Sequence, residues 1–452
     1  MKHIAVIDIG KTNAKVALVD RESLSEIAVT KRANAVLKGG PYPHYDIDGL
    51  WQFVLDGLKR FQAEFGVDAI SITTHGASAV LLDAEGELAA PALDYEFDGP
   101  DALASEYDAV RPPFAETGSA RLPLGLNLGA QLFWQFRTFP ELKARTRKIL
   151  TYPQYWAFRL SGIAVNEVTS LGCHTDLWMP EEGRFSSLVE REGWTVLMAP
   201  VARAADRLGP ILPEIAAATG LAVGTPVICG IHDSNASLYA HLAAREAPFA
   251  VVSTGTWVIS MAVGGAKVAL DPARDTLVNV NAYGDPVPSA RFMGGREFER
   301  LIGEGTADTT SADIDSVLAR GAMLLPAVEN QSGPFPGRKA SWTVEETRLS
   351  ASERYVTVSF YLALMTATGL AIVGAEGPVL VEGPFAGNHA YLAMVASATG
   401  RPVEAVAGTG TSIGAALLID GARPRRSSNA EPRPVNEAAL RAHAQAWQDA
   451  VR

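Results

Sequence analysis

The chain has 452 residues, more than one hydrophobic core usually serves, so we expect two domains of roughly 200 residues each. Hydrophobic residues make up 48% and charged residues 20%, which excludes a disordered chain, and the net charge of -11 excludes a broad nucleic-acid-binding surface. Cys173 and Cys229 form neither a CxxC nor a Cys-His pattern, which excludes a disulfide framework and a structural zinc site and favours a reducing compartment.

The N-terminus enters a strand-like pattern directly, without the apolar segment and cleavage site of a signal peptide. The two longest apolar stretches, 247–265 and 358–375, contain too many polar residues and glycines for lipid-facing spans. We therefore expect a cytoplasmic protein that binds neither membrane nor nucleic acid.

A β-hairpin is predicted at the start of the chain. Two β-branched runs, 4–10 and 14–20, flank the turn Gly10-Lys11-Thr12-Asn13, whose backbone and side chains offer donors for a phosphate. Asp8 ends the first strand, where a carboxylate could hold hydrated Mg²⁺ against the same phosphates. An ordinary Asp-Gly hairpin explains the pattern equally well.

The next segment alternates helix and strand. Helical spacing over 48–65 precedes a strand at 69–76, and further helices are predicted at 130–136 and 153–160. Three polar residues, His75, Asp94 and His232, lie at or near strand ends, where open α/β sheets bind ligands. Each could bind a sugar hydroxyl, although an isolated histidine is more often structural.

Asp233 follows an apolar run, 221–232, that predicts a strand, and it precedes a helix over 236–244. A carboxylate here could accept the proton of a sugar hydroxyl as its oxygen attacks phosphorus. Asp is also a favoured helix N-cap, and the local residues alone favour the cap. The domain boundary is expected near residue 245, giving domains 1–244 and 245–452.

The second half repeats the opening pattern. Strands at 249–253 and 257–261 flank Thr254-Gly255-Thr256, which predicts an internal duplication and two similar lobes. Two opposed donor loops could hold a triphosphate, and neither matches a P-loop or a dinucleotide-binding turn. The remaining predicted elements are a helix at 355–373, a strand at 379–383, a helix at 389–399, a solvated loop at 421–436 and a helix at 437–451.

Three motifs occur in an order that resembles the FGGY carbohydrate kinases. They are Asp8-Ile9-Gly10-Lys11-Thr12-Asn13, Gly230-Ile231-His232-Asp233 and Ser253-Thr254-Gly255-Thr256-Trp257. The resemblance continues through 153–177, 325–327, 383–403 and Gly408-Thr409-Gly410-Thr411, so it covers nearly the whole chain. It implies an α/β fold of two actin-like ATPase (ribonuclease H-like) lobes with a central cleft, in which ATP, Mg²⁺ and a sugar meet.

The resemblance also implies roles for individual residues. Asp8 would hold Mg²⁺ through water, and Asp233 would be the general base. The implied sugar ligands are His75, Gly76, Asp94, His232 and Asp233. The implied ATP or phosphate ligands are Gly10, Lys11, Thr12, Asn13, Lys15, Thr254, Gly255, Thr256, Gly383 and Asn388.

The expected substrate is a ketose. His232 and Gly76 look like sugar contacts of rhamnulokinase, and 73–76 and 253–261 resemble fuculokinase, so we expect γ-phosphoryl transfer to a 6-deoxy-ketohexulose such as L-fuculose or L-rhamnulose. The segment Gly383-Pro384-Phe385-Ala386-Gly387-Asn388 departs from the glycine run common in these kinases. The alternatives are a kinase for another ketose or polyol such as xylulose, a non-catalytic sugar sensor, and an ATPase. A homodimer is left open.

Overall fold

The computed structural model describes residues 1–303, 309–406, 410–420 and 437–452, which form two compact units. Unit 1 contains Met1–Arg245, Val278–Pro286 and 410–420, and unit 2 contains Glu246–Leu277, 287–303, 309–406 and 437–452. The predicted division into 1–244 and 245–452 stays a prediction. The predicted loop at 421–436, and Gly408 and Thr409, lie outside the described residues.

Unit 1 is a central sheet with helices and short hairpins. Its strands are β1 (His3–Ile9), β2 (Asn13–Asp20), β3 (Ser25–Ala33), β4 (Val36–Leu37), β5 (His44–Tyr45), β6 (Ala69–Thr74), β7 (Ala79–Leu82), β8 (Lys148–Thr151), β9 (Asn166–Glu167), β10 (Trp178–Met179), β11 (Arg184–Phe185), β12 (Val201–Ala202), β13 (Arg207–Pro210), β14 (Pro226–Ile228) and β15 (Ile231–His232). Its helices are α1 (Ile47–Glu64), α2 (Ala104–Val110), α3 (Phe114–Thr117), α4 (Leu128–Thr138), α5 (Pro140–Arg145), α6 (Tyr152–Ser161), α7 (Val168–Leu171), α8 (Ser187–Arg191), α9 (Pro213–Thr219), α10 (Asp233–Ala244) and α15 (Gly410–Leu417).

The main sheet of unit 1 has the strand order β13-β14-β6-β1-β2-β3, and β15 also pairs with β6. β1 and β2 are antiparallel, and the Gly10 N–H donates to the Asn13 carbonyl at 2.9 Å, which confirms the predicted opening hairpin. β6 runs parallel to both β1 and β15, and its Thr74 pairs with Ile9 on one side and His232 on the other. The carboxyl ends of these three strands therefore lie side by side.

The single strand predicted over 221–232 is wrong. Two short strands, β14 and β15, replace it, and Cys229 and Gly230 separate them. Gly230 has a φ of 88°, and a Cβ at this position would lie 2.7 Å from the carbonyl oxygen of Ile72 in β6. A side chain is therefore excluded at this interruption, which precedes β15 and Asp233.

Unit 2 is built around a second sheet. Its strands are β16 (Phe249–Thr254), β17 (Val258–Val263), β20 (Leu324–Leu325), β21 (Ser341–Trp342), β22 (Val379–Glu382), β23 (Val403–Ala405) and all but the first residue of β19 (Pro286–Phe292). The residues of β18 (Thr276–Val280) are divided between the units. Its helices are α11 (Gly294–Ile302), α12 (Ser311–Arg320), α13 (Ala351–Ile372), α14 (His389–Thr399) and α16 (Glu437–Ala450).

The two units share one strand pattern. In unit 2 the order β19-β17-β16-β22-β23 has antiparallel pairs around β17 and parallel pairs around β22. In unit 1 the order β3-β2-β1-β6-β14 has antiparallel pairs around β2 and parallel pairs around β6. The same order and directions, each beginning from a glycine-turn hairpin, confirm the predicted duplication.

Each unit has its own apolar core. In unit 1, the buried side chains of β1, β2 and β6 pack against α1 and α6. In unit 2, α13 occupies the core beside β16 and β17. Among the described residues α13 alone is long and apolar enough to cross a membrane, yet 78% of its most apolar window is buried within the protein, as in the core helix of a folded domain.

Candidate active site

Three ionisable side chains lie at the edge of the unit 1 sheet where β1, β6 and β15 end. Asp8 is the penultimate residue of β1, His75 follows β6, and Asp233 follows β15. The parallel pairing of β6 with both neighbours fixes this arrangement. Ends of parallel strands are where open α/β sheets bind their ligands.

Asp8 is 9% exposed and has two close polar partners. The Lys15 ammonium lies 3.3 Å from its Oδ2, and the Thr411 hydroxyl donates to the same oxygen. Burial raises the pKa of the Asp8 carboxyl, Lys15 and Thr411 oppose the rise, and the charge of Asp233 adds to it. Lys15 also pairs with Glu26 at 2.9 Å, so both its contacts are acidic.

Asp233 is the first residue of α10, and the cap of this helix is His232. The local interpretation of Asp233 as the helix N-cap is therefore wrong. Its Oδ1 accepts the Ser234 N–H at 2.6 Å, and within the described chain its hydrogen bonds reach Oδ1 alone. Burial raises the pKa of Asp233, whereas the charge of His75 and the Ser234 bonds lower it. The side chain keeps 29% exposure, so the carboxylate can be reached.

His232 and Gly76 lie against each other. The Nε2 of His232 is 3.2 Å from the Asp233 Oδ1, and its Nδ1 is 3.4 Å from the Asn235 amide nitrogen. A Cβ at Gly76 would lie 2.7 Å from the His232 Nε2, so Gly76 leaves room for this ring. Burial lowers the pKa of His232 to about 4, so the ring is neutral at neutral pH.

His75 is enclosed by aromatic rings. The ring centroids of Tyr45, Tyr95 and Tyr152 lie 5.0 to 5.3 Å from its own. Its Nδ1 bonds the Gly76 carbonyl at 2.9 Å, while its buried Nε2 has no partner in the part of the chain that the structure describes. Burial lowers the pKa of His75 to about 4. A neutral imidazole with one unpaired nitrogen can bind a hydroxyl group.

Lys11 lies with the predicted sugar ligands rather than beside Asp8. Its ammonium pairs with Asp94 and with Glu96, the latter at 3.2 Å, and it lies over the rings of Tyr95 and Tyr45 at 4.9 and 5.4 Å. Asp94 is 6% exposed and also accepts the Tyr45 hydroxyl at 3.3 Å. The assignment of Lys11 to phosphate stays a prediction, and its present contacts are acidic and aromatic.

The rest of the first turn is open to solvent. Thr12 and Asn13 are exposed, and the Asn13 amide donates to the Thr12 hydroxyl at 3.1 Å. The Gly10 carbonyl accepts the Asn34 side-chain amide at 2.8 Å, which holds the turn. The turn therefore offers reachable hydroxyl and amide groups.

In unit 2, the second glycine turn divides into a buried and an exposed part. The Thr254 hydroxyl donates to the Glu382 carbonyl at 2.5 Å and accepts the Phe385 N–H at 3.1 Å, so it joins β16 to the segment after β22. Gly383 has a φ of 84°, and a Cβ there would lie 2.0 Å from the Thr254 carbonyl oxygen. Gly255 and Thr256 are exposed, and the Gly255 N–H donates to the Trp257 carbonyl at 2.9 Å.

Asn388 has a structural role that its sequence position did not reveal. Its side chain caps α14 by accepting the Tyr391 N–H at 3.0 Å, and its amide donates to the Ser359 hydroxyl at 2.9 Å and the Tyr355 hydroxyl at 3.4 Å. Both ends of the side chain are therefore used within unit 2.

The oxygen donors at Asp8 suit magnesium. Among the described residues, no group of three or more His, Cys, Asp or Glu side chains is arranged to bind a metal ion. Mg²⁺ usually keeps several waters and takes one or two carboxylates together with substrate phosphates, so a closed protein cage is not required. Asp8, whose Oδ2 alone takes the contacts of Lys15 and Thr411, fits that pattern.

Sequence reasoning missed the tyrosines around His75 and the contact of Thr411 with Asp8. Tyr95 is next to the predicted ligand Asp94 and could have been found from that position. Thr411 is the last residue of the Gly408-Thr409-Gly410-Thr411 motif, which was part of the resemblance to the carbohydrate kinases. It is 403 residues from Asp8, and no local sequence pattern predicts their contact.

Comparison with known families gives two matches along the chain. Residues 3–240 match the FGGY family of carbohydrate kinases, N-terminal domain, and residues 246–428 match the carbohydrate kinase FGGY, C-terminal domain. An L-fuculokinase of Salmonella typhi is 24% identical over 269 residues, covering 58% of this chain. That alignment spans 57% of the curated relative's own length.

Solved structures are similar over the full chain, among them the following two. A carbohydrate kinase from Novosphingobium aromaticivorans is 38% identical with a TM-score of 0.92, covering 100% of this chain and 98% of that one. A ligand-bound xylulose kinase from Lactobacillus acidophilus is 14% identical with a TM-score of 0.77, covering 100% and 98%. At that identity the second structure supports the fold alone.

Proposed function

We propose, from the premise that this chain belongs to the FGGY family of carbohydrate kinases, that it transfers the γ-phosphoryl group of ATP to a ketose hydroxyl. The observation that carries the proposal is the convergence of Asp8, His75 and Asp233 at one edge of the unit 1 sheet. The Asp8 carboxylate can hold Mg²⁺ with its phosphates, and the His75 imidazole can bind a sugar hydroxyl. The Asp233 carboxylate can accept a proton.

Asp233 is the proposed general base. Its Oδ2, left free by Ser234 and His232, takes the proton of the attacking hydroxyl. The hydroxyl oxygen then bonds to the γ-phosphorus as the bond from that phosphorus to the bridging oxygen breaks, and ADP leaves. The N-terminus of α10 favours the ionised form of Asp233, which opposes the effect of burial.

The phosphates are assigned to the two glycine turns. In unit 1 the proposed donors are on Thr12, Asn13 and Lys15, and Gly10 shapes their turn, because its own N–H donates to the Asn13 carbonyl. In unit 2 the proposed donor is the Thr256 hydroxyl, and Gly255 and Gly383 shape its loops, since the Gly255 N–H donates to the Trp257 carbonyl. Thr254 and Asn388 support the unit 2 loops, since their side chains are used internally. Mg²⁺ held by Asp8 through water would neutralise charge on the transferred phosphoryl group.

The proposed sugar is a 6-deoxy-ketohexulose such as L-fuculose or L-rhamnulose. Of the three tyrosine rings around His75, Tyr95 alone is partly exposed and offers an apolar face to a methyl group. His75, Asp94 and His232 offer polar groups for hydroxyls. The L-fuculokinase similarity favours the same sugar class. The proposal also includes a cytoplasmic location and no membrane or nucleic-acid partner. It leaves homodimer formation open.

A turnover assay tests the proposal. Purified protein with ATP and Mg²⁺ is incubated with L-fuculose, L-rhamnulose, D- and L-xylulose and related polyols, and ADP formation is followed. We expect sugar-dependent turnover, highest with a 6-deoxy-ketohexulose. ATP hydrolysis that does not respond to any sugar would favour an ATPase, and sugar binding without turnover would favour a sensor.

The pH dependence of kcat/KM should show an acid limb from Asp233. The base works when ionised, so activity rises as pH increases through a pKa that burial raises above 3.8. His75 and His232, both with a pKa of about 4, stay neutral near pH 7 and add no limb there. The check is a profile from about pH 4 to about pH 8. A limb near the ordinary histidine value that disappears in His75→Gln would contradict this assignment.

Replacing Lys11 with Met should weaken sugar binding. The ammonium has a third N–H beyond those used by Asp94 and Glu96, and it holds Asp94 in place for a neighbouring hydroxyl. Loss of a charged hydrogen bond of this kind should raise the sugar KM by about 10- to 100-fold. A rise in sugar KM without a rise in ATP KM would assign Lys11 to the sugar, whereas a rise in ATP KM would support its predicted phosphate role. Lys59→Met, on the exposed face of α1, is the control and should leave both constants unchanged.

A further inference from the structure

A buried polar group supports the short segment that leads into Asp233. Gln154, which is fully buried, donates its amide to the Cys229 and Gly230 carbonyls at 3.1 Å each. The Thr151 hydroxyl donates to the other end of the Gln154 side chain at 2.6 Å. These bonds hold the two residues that separate β14 from β15.

A second contact holds the last residue before α10. The His232 N–H donates to the Thr169 hydroxyl oxygen at 3.1 Å. The Thr169 hydroxyl donates its own hydrogen to the Glu167 Oε2, and the Thr169 N–H donates to that oxygen at 3.0 Å. Because Thr169 has one hydroxyl hydrogen and gives it to Glu167, its oxygen is left as the acceptor for His232.

Glu167 is unusual for a carboxyl group that only caps a helix. It is fully buried, and its Oε1 has no partner within the described ranges. Burial raises the pKa of Glu167 to about 8. The helix that it caps, α7, has only four residues. Capping so short a helix stabilises the protein little compared with the cost of burying a carboxyl group.

We propose that Glu167 and Thr169 form a positioning pair that fixes the start of α10 and with it the Asp233 carboxylate. Glu167 orients the Thr169 hydroxyl, the hydroxyl holds the His232 amide, and the next residue in the chain is Asp233. The same turn sets the His232 ring, which lies 3.2 Å from the Asp233 Oδ1. The proposal rests on the proposed function in assigning the reaction to Asp233, while the structural coupling stands on these contacts alone.

Thr169→Val tests the pair, with Thr169→Ser as its matched control. Val keeps the shape of Thr but removes the hydroxyl, whereas Ser keeps the hydroxyl. We expect Thr169→Val to lower kcat by about 10- to 100-fold, the scale of a small misplacement of a reacting group, with a smaller rise in sugar KM because the His232 ring is held by the same turn. Thr169→Ser should retain most of the activity. A role confined to stability would instead lower the melting temperature and leave kcat unchanged.

Hydrogen exchange of the His232 amide supplies a readout that needs no substrate. The amide should exchange faster in Thr169→Val than in wild type or Thr169→Ser, because its acceptor is gone. Thr169→Ala replaces Val if the latter does not fold. Unchanged exchange, or faster exchange with unchanged kcat, overturns the positioning role. If wild type phosphorylates no sugar, the proposed function fails, and the exchange rates still decide whether the pair holds the start of α10.

Discussion

Asp233→Asn should lower kcat by about 10²- to 10⁴-fold, the usual cost of removing a general base. Asn has nearly the same shape and can still accept the Ser234 N–H, so the start of α10 should persist. It cannot take the proton of the sugar hydroxyl at neutral pH. Steady-state kinetics give kcat, and calorimetric titration with the sugar should give a dissociation constant close to that of wild type.

Asp48→Asn is the control for this change. Asp48 is an exposed carboxylate in the first turn of α1, so it matches Asp233 in its place on a helix and lies outside the site. Its replacement should leave kcat unchanged. Full activity of Asp233→Asn would remove Asp233 from the role of base, whereas loss of sugar binding would assign it to substrate binding.

Asp8→Asn should lower kcat by about 10²- to 10³-fold, comparable to the loss of one preorganised electrostatic group. The change removes the negative charge that Lys15 and Thr411 contact and that would attract hydrated Mg²⁺, and it replaces one of the two carboxylate oxygens with an NH2 group. The Mg²⁺ concentration needed for half-maximal rate should rise. Kinetics over a range of Mg²⁺ concentrations at fixed ATP measure both effects.

Asp20→Asn is a matched control on the same hairpin. Asp20 ends β2 and has the same 9% exposure as Asp8, but it caps the turn to β3 by accepting the N–H groups of Glu22 and Ser23. Its replacement should reduce stability without altering the Mg²⁺ dependence. An Asp8 variant with the wild-type response to Mg²⁺ would contradict the metal assignment.

Local patterns predicted much of the fold. β-Branched runs interrupted by a glycine turn predicted both hairpins, because strand alternation and turn chemistry are properties of neighbouring residues. The positions of Asp8, His75 and Asp233 at strand ends could be predicted for the same reason. Their proximity to one another depended on the pairing of β6 with β1 and β15, which only the assembled sheet shows.

Side-chain partners were harder to predict. Lys11 was assigned to phosphate from its place in the turn, yet its ammonium reaches Asp94, 83 residues away. Thr254 and Asn388 have suitable donors, but the chain uses them to join β16 to the following loop and to cap α14. Residue type identifies what a side chain can bind, whereas tertiary packing decides which groups are already bound.

Helix α15 has a consequence for the order of folding during synthesis. It contacts α10, β1 and β6, and the Ser71 hydroxyl of β6 donates to its Ala415 carbonyl at 2.7 Å. The first 245 residues therefore leave the ribosome without the helix that covers this part of their sheet. The packing of unit 1 is complete only after residues 410–420 have been synthesised, and it depends on contacts of very high sequence separation.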